Sequence, residues 1–255
     1  MDAMTNLAEL SVHGTVARLT LTRPEQRNAL STDLLESMHR AVDRLAEASD
    51  VVVLVMTGAG KCFCSGMDLR EVLIGEDRDA WPGPQLLESL ARFTVRLRAL
   101  PMVVVASVNG AAIGGGCGLA CVADICISHA DARIGYPEVD LGLCPAVVAP
   151  WVIRKIGPGR ARRVLLSGGV MSGTEAHALG LVDHLAPSVD QLAPLTDRLV
   201  QRLSSGGPAA LRATKSLLNT LDGSLEAAPV LEGARLSAEV LASPDAQKAL
   251  SARRS

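Results

Sequence analysis

The chain has 255 residues, 48% of them hydrophobic, with 25 lysines and arginines against 27 aspartates and glutamates and only five aromatic side chains. A chain of this length and hydrophobicity can bury a core of its own, which excludes a disordered segment or a disulfide-stapled mini-protein. A formal net charge of -2 offers no positive surface to a nucleic-acid backbone or to an anionic membrane. The shortage of aromatic rings also leaves little for nucleic-acid bases to stack on.

The first ten residues include Asp2 and Glu9 and contain no apolar stretch after a basic start. We therefore expect no secretory signal and a cytoplasmic protein. The six cysteines should then be reduced. Because they form no C-x-x-C pair and have no histidine at metal-ligand spacing, we expect buried thiols and no metal site.

Strand-like and helix-like segments alternate in the first half of the chain. Val16–Thr22 alternates apolar and polar residues and predicts a half-buried strand, and Ser31 can cap a helix that runs to about residue 49. Continuous β-branched runs predict fully buried strands at Val51–Met56, Val103–Val108 and Ile125–Ser128. Strands separated by helices predict a layered α/β core with crossover connections.

The segment Pro101–Ala123 has no charged residue and is just long enough to cross a bilayer. The turn signal Asn109-Gly110 interrupts it, and four glycines crowd its second half, where a membrane-spanning helix would favour bulky residues. We therefore predict a buried strand, a turn and a buried helix here, and no membrane partner.

From Pro145 onward the pattern indicates successive helices, with no strand-like run long enough to compete. Ser172 and Glu175 match a capping box at the start of one of these helices. The predicted helices are Ala146–Ile156, Arg160–Leu166, Glu175–Leu179, Asp190–Leu203, Pro208–Leu221 and Leu231–Leu250.

Two glycine-rich segments invite a nucleotide-binding interpretation that their spacing excludes. Gly60-Lys61 lacks the upstream glycine and the following Ser/Thr of a phosphate loop, and the pattern from Gly114 has Leu119 where a dinucleotide fingerprint needs glycine. No G-x-S-x-G pattern surrounds Ser65, so we do not expect a serine nucleophile either.

The same two segments, Thr57–Asp68 and Asn109–Gly118, each follow a buried strand and each lead into a helix. Backbone N–H groups at such junctions lack helical partners and lie at the positive end of the helix dipole. Two neighbouring junctions could direct two amides at one oxygen, which is the geometry of an oxyanion hole. Tight packing of a helix on a sheet would use the same glycines, so the residues alone leave both explanations open.

Glu138 stands in a loop, Arg133–Val139, that follows the third buried strand. Taken alone, a glutamate in a loop is more often a surface carboxylate than a catalytic group. Further residue groups stand in a fixed order around it: Arg23-Pro24 with Asn28-Ala29-Leu30, Thr57-Gly58 with Phe63 and Gly66-x-Asp68, Val108-Asn109-Gly110 with Gly114-Gly115-Gly116 and Asp124, Gly135-x-Pro137-Glu138, Leu141-Gly142-Leu143 with Pro145, and Gly180-Leu181-Val182-Asp183.

Through these groups the chain resembles the enoyl-CoA hydratase/isomerase (crotonase) superfamily over nearly its whole length. The resemblance implies an α/β fold, a crotonase-like spiral of β-β-α units with a C-terminal helical trimerisation region. It implies that residues 1–195 form the spiral core with the acyl-CoA and catalytic site and that residues 196–255 form the C-terminal helical region. It also implies a homotrimer or a dimer of trimers.

The resemblance implies an acyl-CoA thioester substrate and no metal or redox cofactor, coenzyme A being part of the substrate. It assigns Glu138 as the acid/base, and it assigns the backbone N–H groups of Ser65 and Gly115 to the thioester oxygen. The other implied acyl-CoA contacts are Gly66, Met67, Asp68, Arg27 and Ala29. Asp68 and Glu71 also match a capping box, and the acyl-pocket walls are expected within Val72–Gln85.

Gly118 departs from the family pattern, because typical hydratases carry a second glutamate at this position that works together with the one at Glu138. Glycine cannot transfer a proton, so hydration by two carboxylates is not open to this chain. A single carboxylate suffices to shift a double bond, which favours a Δ3,Δ2-enoyl-CoA isomerase. The run from Tyr136 to Val152 is instead similar to hydratases of short branched or glutaconyl-type CoA esters, some of which carry glycine at this position.

We therefore expect an enoyl-CoA hydratase, with an isomerase as the alternative. A non-catalytic binding protein on the same scaffold is a further alternative, motivated by the missing glutamate at Gly118. The near-neutral charge and the few aromatic rings argue against RNA as its ligand.

Overall fold

The computed structural model describes residues 6–74 and 81–252. The strands in these ranges are β1 (Ala8–His13), β2 (Val16–Leu21), β3 (Val53–Gly58), β4 (Cys62–Cys64), β5 (Val103–Val108), β6 (Ala111–Ile113), β7 (Ile125–His129), β8 (Arg133–Gly135), β9 (Val170–Ser172) and β10 (His184–Ala186). The helices are α1 (Thr32–Ala46), α2 (Leu69–Val72), α3 (Gly83–Ala99), α4 (Gly115–Val122), α5 (Ala149–Ser167), α6 (Gly173–Leu179), α7 (Leu192–Ser204), α8 (Pro208–Leu221), α9 (Ala228–Leu241) and α10 (Pro244–Ser251).

From β3 to β8, successive strands alternate between two sheets, and this alternation produces the predicted spiral of β-β-α units. Strands β3, β5 and β7 are neighbours in a six-stranded sheet of order β1-β2-β3-β5-β7-β10. The strand that follows each of them joins a second sheet of order β4-β6-β8-β9. Within β3-β5-β7 and within β4-β6-β8, neighbouring strands pair in parallel. Strand β1 pairs antiparallel with β2, and β8 pairs antiparallel with β9.

The continuous apolar run of β3 is explained by burial on both faces, as predicted. Val53 and Val55 lie in a cluster with Leu192 of α7 on one side of the sheet, while Leu54 and Met56 belong to the main core on the other. A strand covered on both faces needs no polar alternation, so its sequence reads as unbroken hydrophobicity.

Several predicted helices are confirmed, and three differ in how they are divided. Helix α8 spans Pro208–Leu221 as predicted, and Ser172 and Glu175 form the predicted capping box of α6. The two helices predicted within Ala146–Leu166 form one element, α5, whose path is broken at Gly157 (φ 77°) before Pro158. The helix predicted at Leu231–Leu250 is divided into α9 and α10, because Pro244 cannot continue the hydrogen-bond ladder and Ser243 caps a new helix.

The prediction that no strand follows Pro145 is wrong. Strand β9 pairs with β8 at the edge of the second sheet, and β10 pairs with β7 at the edge of the first. Each has only three residues, which is too short for an alternating pattern to be read from the letters. Helix α7 runs through the predicted boundary between residues 195 and 196, so a division there stays a prediction.

The charge-free segment from Pro101 to Ala123 forms β5, β6 and α4, in agreement with the predicted strand, turn and helix. Within the described ranges, none of the helices combines the length and the apolar character that crossing a bilayer requires.

Candidate active site

The two glycine-rich segments lie side by side at the carboxyl ends of β3 and β5. Asn109 joins them, because its side-chain amide donates to the carbonyls of Gly58 and Gly60, both at 2.9 Å, and its Oδ1 accepts from the Gly58 amide at 3.2 Å. Beyond this junction β4 pairs with β6. The predicted juxtaposition is therefore present, although a three-residue strand precedes the helix in each segment.

The loop between β2 and α1 is held against this junction by Asn28. Its buried side chain donates to the carbonyls of Ala59 at 3.0 Å and Cys62 at 2.7 Å, and it accepts from the Arg23 amide at 2.9 Å. Arg27 and Asn28 both have left-handed backbone angles, with φ of 52° and 53°. Such angles are uncommon outside glycine and easiest for asparagine, so the Asn28 hydrogen bonds help to maintain this turn.

Asp68 is buried at the start of α2 and organises two arginines. Its carboxylate accepts from Arg70 at 2.7 Å and from Arg23 at 3.1 Å. The hydrogen bond from Arg70, reinforced by Arg23, lowers the pKa of Asp68 to about 2. Asp68 caps α2 through the Arg70 amide, but the predicted capping box is wrong, because the Glu71 carboxylate accepts instead from the amide and hydroxyl of Thr32 at the start of α1.

The two predicted oxyanion donors lie in one cavity with Glu138, but their amides differ. Gly115 is the first residue of α4, and its N–H has no acceptor among the described residues. The Ser65 N–H donates to the Arg27 carbonyl at 3.1 Å. The expected free amide is therefore found at Gly115 and not at Ser65, whose N–H would have to share its hydrogen with a second acceptor.

Glu138 follows β8, and its carboxylate lies against Gly114. The Gly114 N–H donates to the Gly135 carbonyl at 2.8 Å, which joins this loop to the start of α4. A Cβ built on Gly114 would stand 2.7 Å from Glu138 Oε1, and Gly114 has φ of 54° and ψ of -121°. Glycine is required here for both reasons, and this contact brings Glu138 to the edge of the Gly115 site.

The Glu138 carboxylate is half-buried among mainly apolar side chains. Its Oε2 is buried and has no hydrogen-bond partner among the described residues. Loss of hydration disfavours the charged form and raises the pKa of Glu138 to about 7. Near neutral pH such a group is present in both protonation states, as a residue that takes up and returns a proton must be.

Gly118 faces Val148, which precedes α5. A Cβ built at position 118 would overlap Val148 Cγ1 and would stand 2.9 Å from Val148 Cβ. The valine side chain therefore fills the space into which a residue at position 118 would project. Position 118 lacks both a proton-transfer group and the room for one.

Three cavities with shared walls surround these residues. The outer cavity, of about 590 Å³, is lined by Arg27, Arg70 and Arg133 together with Ala29, Ser65 and Asp68. The middle cavity, of about 110 Å³, is lined by Ser65, Gly66, Gly115 and Glu138, and the inner cavity, of about 50 Å³, is mainly apolar. The outer and middle cavities share Ser65 and Met67, and the middle and inner ones share Met67, Gly115 and Glu138.

Sequence reasoning missed the cavity residues that come from distant elements. Leu87 and Leu90 of α3 and Leu241 of α9 line the inner cavity, and no local pattern marks them as site residues. Of the range Val72–Gln85 predicted for the acyl-pocket walls, Val72 lines the middle cavity, and residues 75–80 lie outside the described residues.

The C-terminal helices also position part of the wall. Ser237 of α9 donates to the Cys144 carbonyl at 2.8 Å and accepts from the Ala146 amide at 3.2 Å. These two hydrogen bonds connect α9 to the segment that carries Cys144 and leads to Val148. Helix α9 thus contributes both lining residues and support to the inner cavity.

Comparison with known proteins gives a consistent result. The sequence model of the family described as "Enoyl-CoA hydratase/isomerase" matches residues 11–252. A Thermus thermophilus protein, named provisionally as an enoyl-CoA hydratase, is 37% identical over 210 residues, which cover 82% of this chain and 83% of that protein. The short-chain-enoyl-CoA hydratase of Clostridium acetobutylicum is 32% identical over 82% of this chain and 80% of its own.

Comparison of the fold with solved structures also finds enoyl-CoA hydratases. The crystal structure of an enoyl-CoA hydratase from Bacillus anthracis superposes with a TM-score of 0.78 at 28% identity, covering 89% of this chain and 90% of that one.

Proposed function

We propose that this enzyme, which belongs to the enoyl-CoA hydratase/isomerase family, adds water to the double bond of a short, apolar 2-enoyl-CoA thioester. The observation that carries the proposal is that Glu138, with its pKa raised to about 7, shares one cavity with the free amide of Gly115. A proton carrier and a donor for a developing oxyanion are the two groups that this chemistry needs.

Coenzyme A would lie in the outer cavity. Arg27, Arg70 and Arg133 supply positive charge there, and guanidinium groups match phosphate oxygens well. Asp68 holds Arg70 in place through two hydrogen bonds to its guanidinium. Ala29 would contact the pantetheine, while Gly66 and Met67 would border the thioester. The proposed reaction uses no metal or redox cofactor, so treatment with a chelator should leave the rate unchanged.

The thioester oxygen would accept a hydrogen bond from the Gly115 N–H at the positive end of α4. Ser65 would be the second donor, its N–H sharing its hydrogen between the Arg27 carbonyl and the substrate. Polarisation of the carbonyl stabilises the enolate that forms when water attacks the conjugated bond. Loss of one such donor costs about 2.7 to 4 kcal/mol of barrier lowering in enzymes that have been tested.

Glu138 would perform both proton transfers. In its ionised form it takes a proton from water while the water oxygen bonds to C3 and the electron pair moves to the thioester oxygen. The resulting carboxylic acid then returns the proton to C2 as the enolate collapses to the thioester. A single carboxylate with a pKa close to the working pH can serve in both steps.

Isomerisation is a second candidate activity, favoured by the packing of Val148 against Gly118. Because no second carboxylate can occupy that space, nothing at position 118 helps to hold a water molecule. On a 3-enoyl-CoA, Glu138 would remove a proton from C2 and return it to C4, with no water consumed.

Both activities are tested by substitution of Glu138 with glutamine. Glu138→Gln should lower hydration of crotonyl-CoA by about 100- to 10,000-fold, since the amide cannot accept the proton. Glu47→Gln, at an exposed glutamate that ends α1, is the matched control and should retain full activity. Unchanged turnover in Glu138→Gln would reject the proposed role. Formation of 2-enoyl-CoA from a 3-enoyl-CoA, without uptake of labelled water, would identify the isomerase.

We also propose that the protein assembles as a trimer, or as a pair of trimers, through its C-terminal helices. Leu217, Leu218 and Leu221 of α8 are each more than half exposed, and exposed apolar groups of this kind mark interaction surfaces. Light scattering should give a mass of three or six chains, and a monomer mass would contradict the proposal.

A further inference from the structure

The inner cavity adjoins Glu138 and is lined mainly by apolar side chains from three parts of the chain. Leu87 and Leu90 come from α3, Val147 and Val148 precede α5, and Leu241 comes from α9. The reacting carbons would lie in the middle cavity beside Gly115, so the inner cavity is the space left for the acyl tail beyond C3.

The inner cavity is small, with a volume of about 50 Å³. This small volume, its mainly apolar lining and the packing of Val148 against Gly118 favour a short acyl tail. An acyl tail too long for this space would have to displace one of the wall side chains.

Val148 is a wall residue held in place by both its side chain and its backbone. Its side chain is buried, and its methyl groups pack where Gly118 of α4 has no Cβ. Its carbonyl accepts from the amides of Trp151 and Val152, both at 3.1 Å, in the first turn of α5. A β-branched side chain whose backbone is fixed has few other rotamers, so it cannot easily move aside for a longer acyl chain.

We infer that Val148, packed against Gly118, is the residue that sets the length of the acyl chain, and that the enzyme selects short acyl tails without charge. The inference rests on the proposed acyl-CoA function of the cavities. Among the described residues that line the inner cavity, Glu138 is the only charged one. A tail ending in a carboxylate would be buried without a counter-charge and close to Glu138, which is costly.

The first experiment compares kcat/KM for 2-enoyl-CoA esters of four, six, eight and ten carbons. The wild-type protein should use the four- and six-carbon esters and discriminate against the longer ones. Val148→Ala should raise the eight-carbon rate relative to the four-carbon rate by about 10-fold or more, since each group added to an apolar pocket changes kcat/KM by about 10- to 200-fold.

A second pair of variants tests whether Gly118 and Val148 share one space. Gly118→Ala should press Val148 into the cavity and lower the six-carbon rate relative to the four-carbon rate. Adding Val148→Ala to it should restore the six-carbon rate, giving a non-additive double-mutant cycle. Val164→Ala is the matched control, because Val164 is a buried valine of α5 that lines none of the three cavities.

The outcomes separate this inference from the proposed function. Absence of turnover for every 2-enoyl-CoA would reject the proposed function. The length series would then be read by thermal shift with saturated acyl-CoA esters, where Val148→Ala should still favour the longer ones. The inference would be overturned if Val148→Ala left the acyl-length preference unchanged, or if Val164→Ala changed that preference equally. It would also be overturned if the wild type used glutaconyl-CoA as fast as crotonyl-CoA.

Discussion

The carboxylate of Glu138 lies against Gly114, so that a Cβ added there would stand 2.7 Å from Glu138 Oε1. The positive φ of Gly114 turns the chain into α4 at the same point, and the N–H of Gly115, which has no acceptor among the described residues, lies in the same cavity as the carboxylate. One glycine thus makes room for the proposed acid/base and also positions the proposed oxyanion donor next to it.

Gly114→Ala should therefore remove activity by displacing Glu138. We expect kcat/KM for crotonyl-CoA to fall at least about 100-fold, comparable to the loss of a proton-transfer group, with a strain cost of about 1 to 3 kcal/mol in unfolding free energy. Gly14→Ala is the control, because Gly14 also has a positive φ of 58° but no atom of the described residues lies within 4 Å of a built Cβ. Full activity in Gly114→Ala, or an equal loss in Gly14→Ala, would contradict this account.

Hydration should depend on pH through Glu138. Burial raises the pKa of this carboxyl to about 7, and the ionised form is the one that takes the proton from water. We expect kcat/KM to rise with pH and to reach half of its maximum near pH 7. A rate profile that is already flat between pH 5 and 8 would show that an ionised Glu138 is not required.

The same shift predicts how stability changes with pH. The folded-state pKa of Glu138, about 7, is above the ordinary value of 4.5. The stabilisation that comes from protonating this carboxyl in the folded state is therefore complete below pH 4.5 and is lost as the pH rises through 7. Glu138→Gln has no charge to bury. It should therefore match the wild type at low pH and exceed it by about 3 kcal/mol above pH 7. Urea unfolding at pH 4.5 and 8 measures this difference, and parallel changes in the two proteins would contradict it.

Asp68→Asn should weaken coenzyme A binding without affecting the chemical step. Asp68 accepts from Arg70 and Arg23, which hold its pKa at about 2, so it is ionised at any working pH. Loss of these charge-assisted bonds frees the exposed Arg70, and KM should rise about 10-fold with kcat little changed. Asp190→Asn, at an exposed aspartate, should leave both constants unchanged. An equal fall in kcat would instead place Asp68 in the chemical step.

Elements whose signal lies within a few neighbouring residues could be predicted from the sequence. The buried strands β3, β5 and β7, the Ser31 cap of α1 and the Ser172–Glu175 capping box each depend on local apolar runs or on hydrogen bonds within one turn. The order of the residue groups likewise sufficed to identify the family, and the resemblance implied the roles of Glu138 and Gly115. Both residues line the middle cavity.

The three-residue strands could not be predicted, because β4, β6 and β8 are defined by pairing with one another and not by their own residues. For the same reason the sequence could not show that the Ser65 amide donates to Arg27, since that partner comes from a different loop.

The sequence by itself determined the fold class, the family and the presence of one carboxylate in place of two, because these depend on which residues are present and in what order. Only the tertiary structure decided the surroundings of that carboxylate. Its pKa is raised because the fold largely removes the Glu138 carboxylate from water and leaves its Oε2 without a partner among the described residues, and Val148 fills the space beside Gly118 because α5 begins next to α4. Burial and packing are relations between residues far apart in the chain, and they exist only once the chain has folded.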